Sequence, residues 1–373
     1  MAGIYIHIPF CKQACYYCDF HFSTSLKYKD ELLQALIKEI SLQKNYLEGE
    51  TVETIYFGGG TPSLLSADEI NLLVGTITGL HTVSSSAEIT LEANPDDLNK
   101  EKLQSLRQTD VNRFSIGIQS FFDDDLEWMN RVHRGNEAEA SVKRAQDAGF
   151  ENITVDLIYG YPLLNDQKWK YNLDKVFELG VPHISSYSMT VEPKTALAAF
   201  IKKKKQAEMN DQQSAEQFIL LMDAMQQKGF EHYEISNFCK PGHYSRHNAN
   251  YWKGVKYLGI GPSAHSYNGE TRQWNIANNA KYIQALETGQ VPAETEVLTE
   301  ADRLNEYIMT SLRTIWGLDL DKLNSIAAGS AGQLLIAARR FFENQWIEQK
   351  DSIIYLTPMG KLYADHIASG LFF

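Results

Sequence analysis

Short strand-like runs alternate with helix-like runs over the first half of the chain, and this alternation limits the fold more than any other feature. The strand-like runs cover residues 3–8, 53–57, 88–93, 113–118, 153–158 and 183–190. Helix-like runs separate them, as at 28–43, where leucines and isoleucines recur every three to four residues. Strands that alternate with helices form a parallel sheet, so we expect six β-α units.

Each of these strands has one apolar and one polar face. In the first strand, for example, isoleucines alternate with Tyr5 and His7. A sheet covered by helices on both sides favours continuous apolar strands instead. The pattern therefore predicts helices on one face and a partly polar interior on the other. The fold class that we expect is α/β, an incomplete (β/α)6 TIM-like barrel, because six units are too few to close an eight-stranded barrel.

Beyond the barrel the alternation of strand-like and helix-like runs ends, and two segments of different composition follow. An aromatic and glycine-rich segment at 231–295 follows the long helical stretch 211–229, and we expect it to close part of the barrel opening. The tail contains helical stretches at 302–315 and 332–344, a strand at 352–356 and a final helix after Pro358. We therefore expect a barrel over 1–230, a closing segment over 231–295 and a mostly helical, winged-helix-like C-terminal domain over 296–373.

Charge and hydropathy exclude two classes of partner. The chain has 35 Lys and Arg against 47 Asp and Glu, and its one basic run, 202–205, lies in a helix-like stretch and is interpreted as a solvated helix face. No nucleic-acid partner is expected. No stretch approaches the ~18 apolar residues of a membrane helix, so we expect a cytoplasmic protein without an integral membrane segment.

Three of the four cysteines lie within eight positions, directly after the first strand. Cys11, Cys15 and Cys18 are close enough to bind one iron-sulfur cage. Three thiolates are an incomplete set for four irons, so the fourth iron stays open for a bidentate small molecule. A zinc site with His7 or His21 as fourth ligand, or reduced structural cysteines, is the alternative.

Motifs around the cysteines carry a resemblance to known families. The CxxxCxxC spacing, with Tyr17 before the last cysteine, resembles the radical S-adenosylmethionine (SAM) superfamily. More narrowly, the chain is similar to the oxygen-independent coproporphyrinogen III oxidase family in the segments HIPFC, GGGTPS (58–63), EANP (92–95), SIGIQS (115–120) and DLIYG (156–160). This resemblance implies a radical SAM barrel in which Cys11, Cys15 and Cys18 bind a 4Fe-4S cluster and SAM occupies the open iron.

The same resemblance implies a set of residues that contact SAM: Tyr5, Tyr17, Gly59, Gly60, Thr61, Glu92, Gln119, Arg131 and Asp156. Strand alternation independently points Glu92, Gln119 and Asp156 inward near the carboxyl ends of strands, where parallel barrels place their sites. For each carboxylate or guanidinium, a structural salt bridge or strand-end cap is the alternative. For the glycine run, the alternative is an ordinary tight turn.

Two features distinguish branches of the family. Coproporphyrinogen dehydrogenases have a further cysteine two residues after the third, where this chain has Phe20. The run HNANYW at 247–252 resembles an element of the family's heme-chaperone branch. In that interpretation His247 or Tyr251 ligates heme iron and Trp252 packs on the porphyrin. The alternative is a loop whose aromatic side chains are core and whose histidine is hydrogen-bonded.

The resemblance therefore implies a heme chaperone that binds heme, a 4Fe-4S cluster and exchangeable SAM, and that transfers heme to an acceptor protein. It implies a radical SAM protein without coproporphyrinogen III oxidase activity. The alternative is the oxygen-independent dehydrogenase itself, which decarboxylates coproporphyrinogen III oxidatively to protoporphyrinogen IX. A third interpretation is a zinc or thiol protein without iron.

Overall fold

A curved parallel sheet organises the first half of the molecule, which is described over residues 1–373 in a computed structural model. Its six strands follow one another in the sheet in chain order: β1 (Ala2–Ile8), β2 (Val52–Gly59), β3 (Val83–Ala93), β4 (Arg113–Gln119), β5 (Ile153–Tyr159) and β6 (His183–Ser188). All five pairings between them are parallel. The predicted incomplete (β/α)6 barrel is confirmed.

The helices between and after these strands are α1 (Lys29–Leu42), α2 (Ala67–Leu80), α3 (Lys100–Leu106), α4 (Asp123–Trp128), α5 (Gly135–Asp147) and α6 (Asp166–Leu179). All of them except α4 contribute side chains to the core on the outer face of the sheet. In α1 the periodic apolar positions are the buried ones, including Leu32, Leu36 and Ile40. The helix α2 begins with a capping box in which Ser66 and Glu69 each accept a hydrogen bond from the other's backbone amide. The apolar side chains between helices and sheet belong to one core of 59 residues.

Later segments extend both edges of the sheet. The additional elements are α7 (Ala196–Lys202), α8 (Asp211–Gln227), β7 (Glu231–Glu234), β8 (Asn237–Cys239), α9 (Arg246–Trp252), β9 (Lys256–Ile260), β10 (His265–Tyr267), β11 (Thr271–Asn275), α10 (Asn279–Glu287) and β12 (Ala293–Val297). β8 pairs with β6, and β9 pairs in parallel with β1, which gives a twelve-stranded sheet. The segment 231–260 therefore runs from one edge of the barrel to the other.

The helix α9 lies at the amino ends of the barrel strands. Its first amides, those of Arg246 and His247, donate to the Glu88 carboxylate, 3.2 and 3.1 Å away. Glu88 is buried and pairs with the buried Arg113 of β4, with 3.9 Å between the charged atoms. The Glu88 carboxylate thus joins the start of α9 to β4 inside the barrel, where buried polar groups are usually paired.

The C-terminal part has its own core of 17 buried residues. It contains α11 (Glu300–Leu312), β13 (Leu318–Asp319), α12 (Leu320–Ile326), α13 (Ser330–Glu343), β14 (Ile347–Lys350), β15 (Ile353–Leu356), α14 (Pro358–Lys361) and α15 (Ala364–Ser369). The three strands form a small antiparallel sheet in the order β13-β15-β14. The C-terminal part is smaller than the barrel and mostly helical, as predicted.

Two further predictions concern the exposure of the basic run 202–205 and the lack of a membrane-spanning helix. The basic run is solvent-exposed as expected, but only Lys202 is helical, because α7 ends there and the next three lysines lie in a turn. None of the helices combines the length and the apolar character needed to cross a bilayer.

Candidate functional site

The three clustered cysteines lie on the loop that follows β1, and all three line one cavity of about 400 Å³. The loop is held by its backbone: the Cys11 amide donates to the Ser23 carbonyl at 3.0 Å, and the Thr61 amide donates to the Phe10 carbonyl at 2.7 Å. No histidine lines this cavity. Its donor set is therefore three thiols without a fourth thiol or an imidazole ligand.

These thiols fit a cluster better than a single zinc ion. His7 donates through Nε2 to the His21 carbonyl at 2.9 Å and accepts at Nδ1 from Tyr5 at 3.1 Å, so both its ring nitrogens are engaged. His21 lies 2.7 Å from the Asn279 side-chain oxygen through Nε2. No three metal-binding side chains converge on a point that would suit one ion. A four-iron cluster instead places each thiolate on a different iron, which spreads the ligands apart.

The protonation of the thiols also bears on cluster binding. Burial raises the pKa of the Cys18 thiol to about 12, and burial likewise raises the pKa of Cys11. Without metal both thiols are protonated at neutral pH. Thiolates are the metal ligands, so iron must displace these protons when it binds. The Arg131 guanidinium, whose Nη1 lies 3.4 Å from Cys15 Sγ, supplies a positive charge beside the thiolates.

The glycine run after β2 crosses closely over the end of β1. A Cβ atom on Gly60 would lie 2.6 Å from the Phe10 carbonyl oxygen and 2.9 Å from that of Ile8. Gly59 has φ of +104°, a conformation that favours glycine. The run thus brings Thr61 to the cysteine loop, where its hydroxyl accepts from Asn94 Nδ2 at 3.2 Å. The close approach is to the protein's own backbone, and the same loop forms one wall of the cavity.

Two carboxylates line the cavity from the barrel interior. Glu92 accepts from the Tyr56 hydroxyl at 2.8 Å and from the Gly59 amide at 3.2 Å. Asp156 accepts from the Ser115 hydroxyl at 3.1 Å. Desolvation raises the pKa of Glu92 to about 7 and that of Asp156 to about 6. A cation bound in the cavity would favour the charged form of both, so these carboxylates suit a ligand that carries positive charge and hydroxyl donors.

The structure brings together most of the side chains that were expected to contact SAM. Eight of the nine line the cysteine cavity: Tyr17, Gly59, Gly60, Thr61, Glu92, Gln119, Arg131 and Asp156. Tyr5 does not line it. The Tyr5 ring stacks on Tyr56 deeper in the barrel, with 6.1 Å between ring centroids. Gln119, at the end of β4, has φ of +68° beside a register shift in that strand.

Several lining residues were missed by the sequence analysis: Tyr56, Asn94, Ser115, Tyr187 and Asn248. Three of them carried a usable signal. Ser115 occupies an inward strand position by the same alternation that identified Glu92, Asn94 follows Glu92 by two residues, and Tyr56 lies on the inward face of β2. Asn248 lies in the HNANYW run, which was interpreted as a heme element, and its place at the cysteine cavity depends on how α9 packs across the barrel.

The HNANYW run forms most of α9, and His247 is a buried residue, 2% exposed. Its Nδ1 lies 2.8 Å from Thr54 Oγ1 and its Nε2 lies 2.9 Å from the Tyr251 hydroxyl. The ring stacks on Tyr56, with centroids 5.0 Å apart. Burial lowers the pKa of His247 to about 3. This geometry favours the alternative in which His247 is a hydrogen-bonded core residue.

A second and larger cavity, of about 880 Å³, lies beside the first. It is bounded by α9, by β9 and β10, and by α11 and α12 of the C-terminal part. Tyr251 and Trp252 of the HNANYW run line it, together with four further tyrosines. Tyr187 and Asn248 line both cavities. The two spaces are therefore separated by a wall that includes these two side chains.

The remaining cysteine belongs to neither cavity. Cys239 is fully buried and packs with Tyr233 and Ala249 in a small separate cluster. Burial raises the pKa of its thiol to about 12. It is a protonated core residue and not a fourth ligand of the cysteine loop.

Comparison with known proteins matches the chain to one superfamily and, within it, to one group of relatives. The family description "Radical SAM superfamily" matches residues 5–176. The protein "Heme chaperone HemW" of Bacillus subtilis is 35% identical over 98% of this chain and 98% of its own length. HemW of Synechocystis is 30% identical over 99% of this chain and 95% of its own.

A solved structure supports the architecture. The radical SAM enzyme coproporphyrinogen III oxidase (HemN) of Escherichia coli superposes on the chain with a TM-score of 0.85. The superposition covers all of this chain and 90% of that one, at 23% identity. At that identity the likeness concerns the fold alone.

Proposed function

Because this chain belongs to the HemW heme chaperone family of the radical SAM superfamily, we propose that it binds heme and transfers it to an acceptor protein. Membership of the superfamily implies a 4Fe-4S cluster and SAM. The observation that carries the heme proposal is similarity to HemW proteins from distant bacteria, which extends over nearly the whole chain, C-terminal part included.

In the proposal Cys11, Cys15 and Cys18 hold the cluster, and the carboxylates and guanidinium of the same cavity hold SAM. When bound and reduced, the cluster can pass an electron to SAM. Arg131 stays positioned by hydrogen bonds of 2.8 Å from Nη2 to Asn94 Oδ1 and to the Gly117 carbonyl. It can therefore orient a carboxylate without moving. Glu92 and Asp156 favour the sulfonium and ribose ends of SAM by charge and hydrogen bonding.

Heme titration of the anaerobically reconstituted protein tests the proposal. We expect near-stoichiometric binding of hemin and release of that heme to an apo-hemoprotein, with apomyoglobin as the probe acceptor. The cluster content, measured as iron and sulfide in the same sample, controls for an intact protein. A protein with a complete cluster that takes up no hemin would refute the heme proposal.

Coproporphyrinogen III oxidation is the competing activity. Phe20 stands where the family's dehydrogenases have a further cysteine, and its side chain is 66% exposed at the rim of the cysteine cavity. We infer that the chain lacks this activity. Anaerobic incubation with reductant, SAM and coproporphyrinogen III should then yield no decarboxylated tetrapyrrole, while a known dehydrogenase in parallel does. Formation of protoporphyrinogen by this chain would assign it to the enzymes.

The proposal places the protein in the cytoplasm, since four unpaired cysteines suit a reducing compartment. The acceptor is a heme protein of that compartment or of a membrane facing it. Retention of purified apo-hemoproteins on the heme-loaded chain, compared with the heme-free chain, would identify acceptor classes.

A further inference from the structure

We propose that heme binds in the 880 Å³ cavity between α9, the β9–β10 edge and the C-terminal helices, which we call the interdomain cavity. This inference rests on the proposed function and adds the place of binding. The volume lies within the about 300–1,000 Å³ typical of ligand sites. It is about twice the volume of the cysteine cavity, so the two spaces can accept a large and a small ligand respectively.

Aromatic rings supply the wall that a flat macrocycle needs. Six of the seven hydrophobic lining residues are aromatic: Tyr187, Tyr251, Trp252, Tyr257, Tyr267 and Tyr307. Tyr257 packs edge-on against Tyr251, with centroids 4.5 Å apart, and lies 6.2 Å from Tyr267. These rings are held by one another before any ligand arrives, and aromatic faces pack favourably on a porphyrin.

Charge in the wall matches the two propionates of heme. Three cations line the cavity, Lys253, Arg303 and Lys322, and none of them forms an ion pair within the protein. The ammonium groups of Lys253 and Lys322 lie over the rings of Trp316 and Tyr307. The two carboxylates of the same wall are already engaged: Glu306 pairs with Arg272 at 2.9 Å, and Glu234 accepts from Asn237. Three cations without a carboxylate partner thus line this cavity in a protein of net charge -12, and guanidinium and ammonium groups bind carboxylates.

The wall also contains phenols that could reach the iron. The Tyr251 hydroxyl is bound to His247, and the Tyr307 hydroxyl accepts from the Asp319 amide at 3.0 Å. Tyr187 lines both cavities, whereas Tyr257 and Tyr267 line this one alone, and the hydroxyls of these last two make no hydrogen bond within the protein. A tyrosine phenolate is an established ligand of ferric heme. We assign the axial ligand to this pair. The tyrosine of this pair that binds the iron releases its phenol proton to solvent as the iron-oxygen bond forms.

Hemin titration of cavity variants tests the location. The charge reversal Arg303→Glu/Lys322→Glu and the obstructing change Ser325→Trp should each weaken hemin binding at least tenfold. Both alter exposed positions of helices, so the fold should persist. The matched control Arg339→Glu/Lys203→Glu reverses two exposed charges outside the cavity and should bind hemin as the wild type does.

The outcomes separate this inference from the function that it rests on. If the wild type binds no hemin, the proposed function fails. If the wild type binds hemin and both cavity variants bind it equally well, heme binds elsewhere and only the location fails.

A spectroscopic comparison tests the ligand. Tyr257→Phe/Tyr267→Phe should abolish the phenolate-to-iron charge-transfer absorption of the ferric complex, and Tyr307→Phe should keep it. A low-spin, imidazole-type spectrum that the double variant leaves unchanged would overturn the ligand assignment.

Discussion

Arg131 joins three segments around the cysteine cavity through one guanidinium. Its Nη2 holds Asn94 and the Gly117 carbonyl, and its Nη1 faces Cys15 Sγ. The hydrogen bonds to the first two fix the planar group, so its charge stays beside the cysteine loop. This arrangement is suited to a cluster whose bound thiolates bring negative charge to a partly buried place.

Removing one cysteine should remove the cluster and leave the fold. For Cys15→Ala we expect iron and sulfide after anaerobic reconstitution to fall below about a tenth of the wild-type value, because a two-thiol set cannot hold the cage. The absorption of the cluster and inductively coupled plasma analysis measure this. Cys239→Ala is the matched control and should keep the iron. Full iron in Cys15→Ala would contradict the assignment of the ligands.

The sequence predicted the direction of side chains on strands better than the position of side chains on loops and helices. Alternation along β3 and β5 sufficed to point Glu92 and Asp156 into the interior, because a strand allows only two directions. Tyr5 obeys the same alternation, yet it lies deeper in the barrel than the cavity. Alternation gives the face of a strand but not the depth at which a ligand stops.

The loop after β2 is an element in which one backbone position decides the path. Gly60→Ala should lower the free energy of unfolding by about 2 kcal/mol, since its Cβ would meet two carbonyl oxygens that cannot turn away. We also expect weaker SAM binding, because Thr61 would move from the cysteine loop. Urea unfolding and isothermal titration with SAM measure the two effects.

Gly75 in α2 provides the matched control. A Cβ there meets nothing within 4 Å, and the position is exposed. Gly75→Ala should raise the stability by about 0.5–1 kcal/mol, as expected for alanine in a helix interior. If Gly60→Ala proved equally harmless, the close approach of the two loops would not be needed.

Besides the amide hydrogen bonds to Glu88, one buried imidazole, that of His247, holds the helix α9 in the barrel. His247→Leu removes both ring hydrogen bonds and leaves the Thr54 hydroxyl buried without this partner, so we expect a loss of about 2 kcal/mol. His265→Leu, at an exposed position, should change the stability by less than about 0.5 kcal/mol. Chemical denaturation of both variants gives the comparison, and an unchanged His247→Leu would show that the helix is held by other contacts.

Helices and strands that depend on the local sequence pattern were predicted. The pairing of strands that lie far apart in the sequence was not. Periodicity identified α1 and the six barrel strands within a few residues. It could not show that β9 would pair with β1, because the two are about 250 residues apart and their pairing is a tertiary interaction. The place of α9 depends on that pairing, which is why the burial of His247 was not evident from the motif.

The molecule as a whole should lose stability on acidification. Burial lowers the pKa values of five histidines. The pKa is about 4 for His7 and well below its ordinary value for His183. It is about 3 for His133, His232 and His247. From pH 6.5 down towards these values, the histidines of the unfolded chain bind protons, whereas the same histidines in the folded chain stay neutral. Stability is therefore complete above the ordinary histidine pKa and falls below it.

Four buried carboxyl groups oppose this trend, because burial raises the pKa values of Glu39, Glu92, Asp156 and Glu234. Five histidines outweigh them between pH 7 and 5. We expect the urea midpoint of the metal-free protein to be lower at pH 5 than at pH 7, with a smaller difference in His247→Leu. A midpoint that rises on acidification would show that the carboxyl groups dominate.

The parallel pairing of β9 with β1 has a consequence for the order of events during synthesis. Ala2 at the start of the chain pairs with both Val52 and Lys256, so one edge of the first strand stays uncovered until two thirds of the polypeptide has left the ribosome. Contacts so distant in sequence slow folding, since a long loop must close before they form. An unpaired strand edge also invites association with other chains. The nascent protein therefore passes through a long interval in which the cysteine loop exists but the barrel that surrounds it does not.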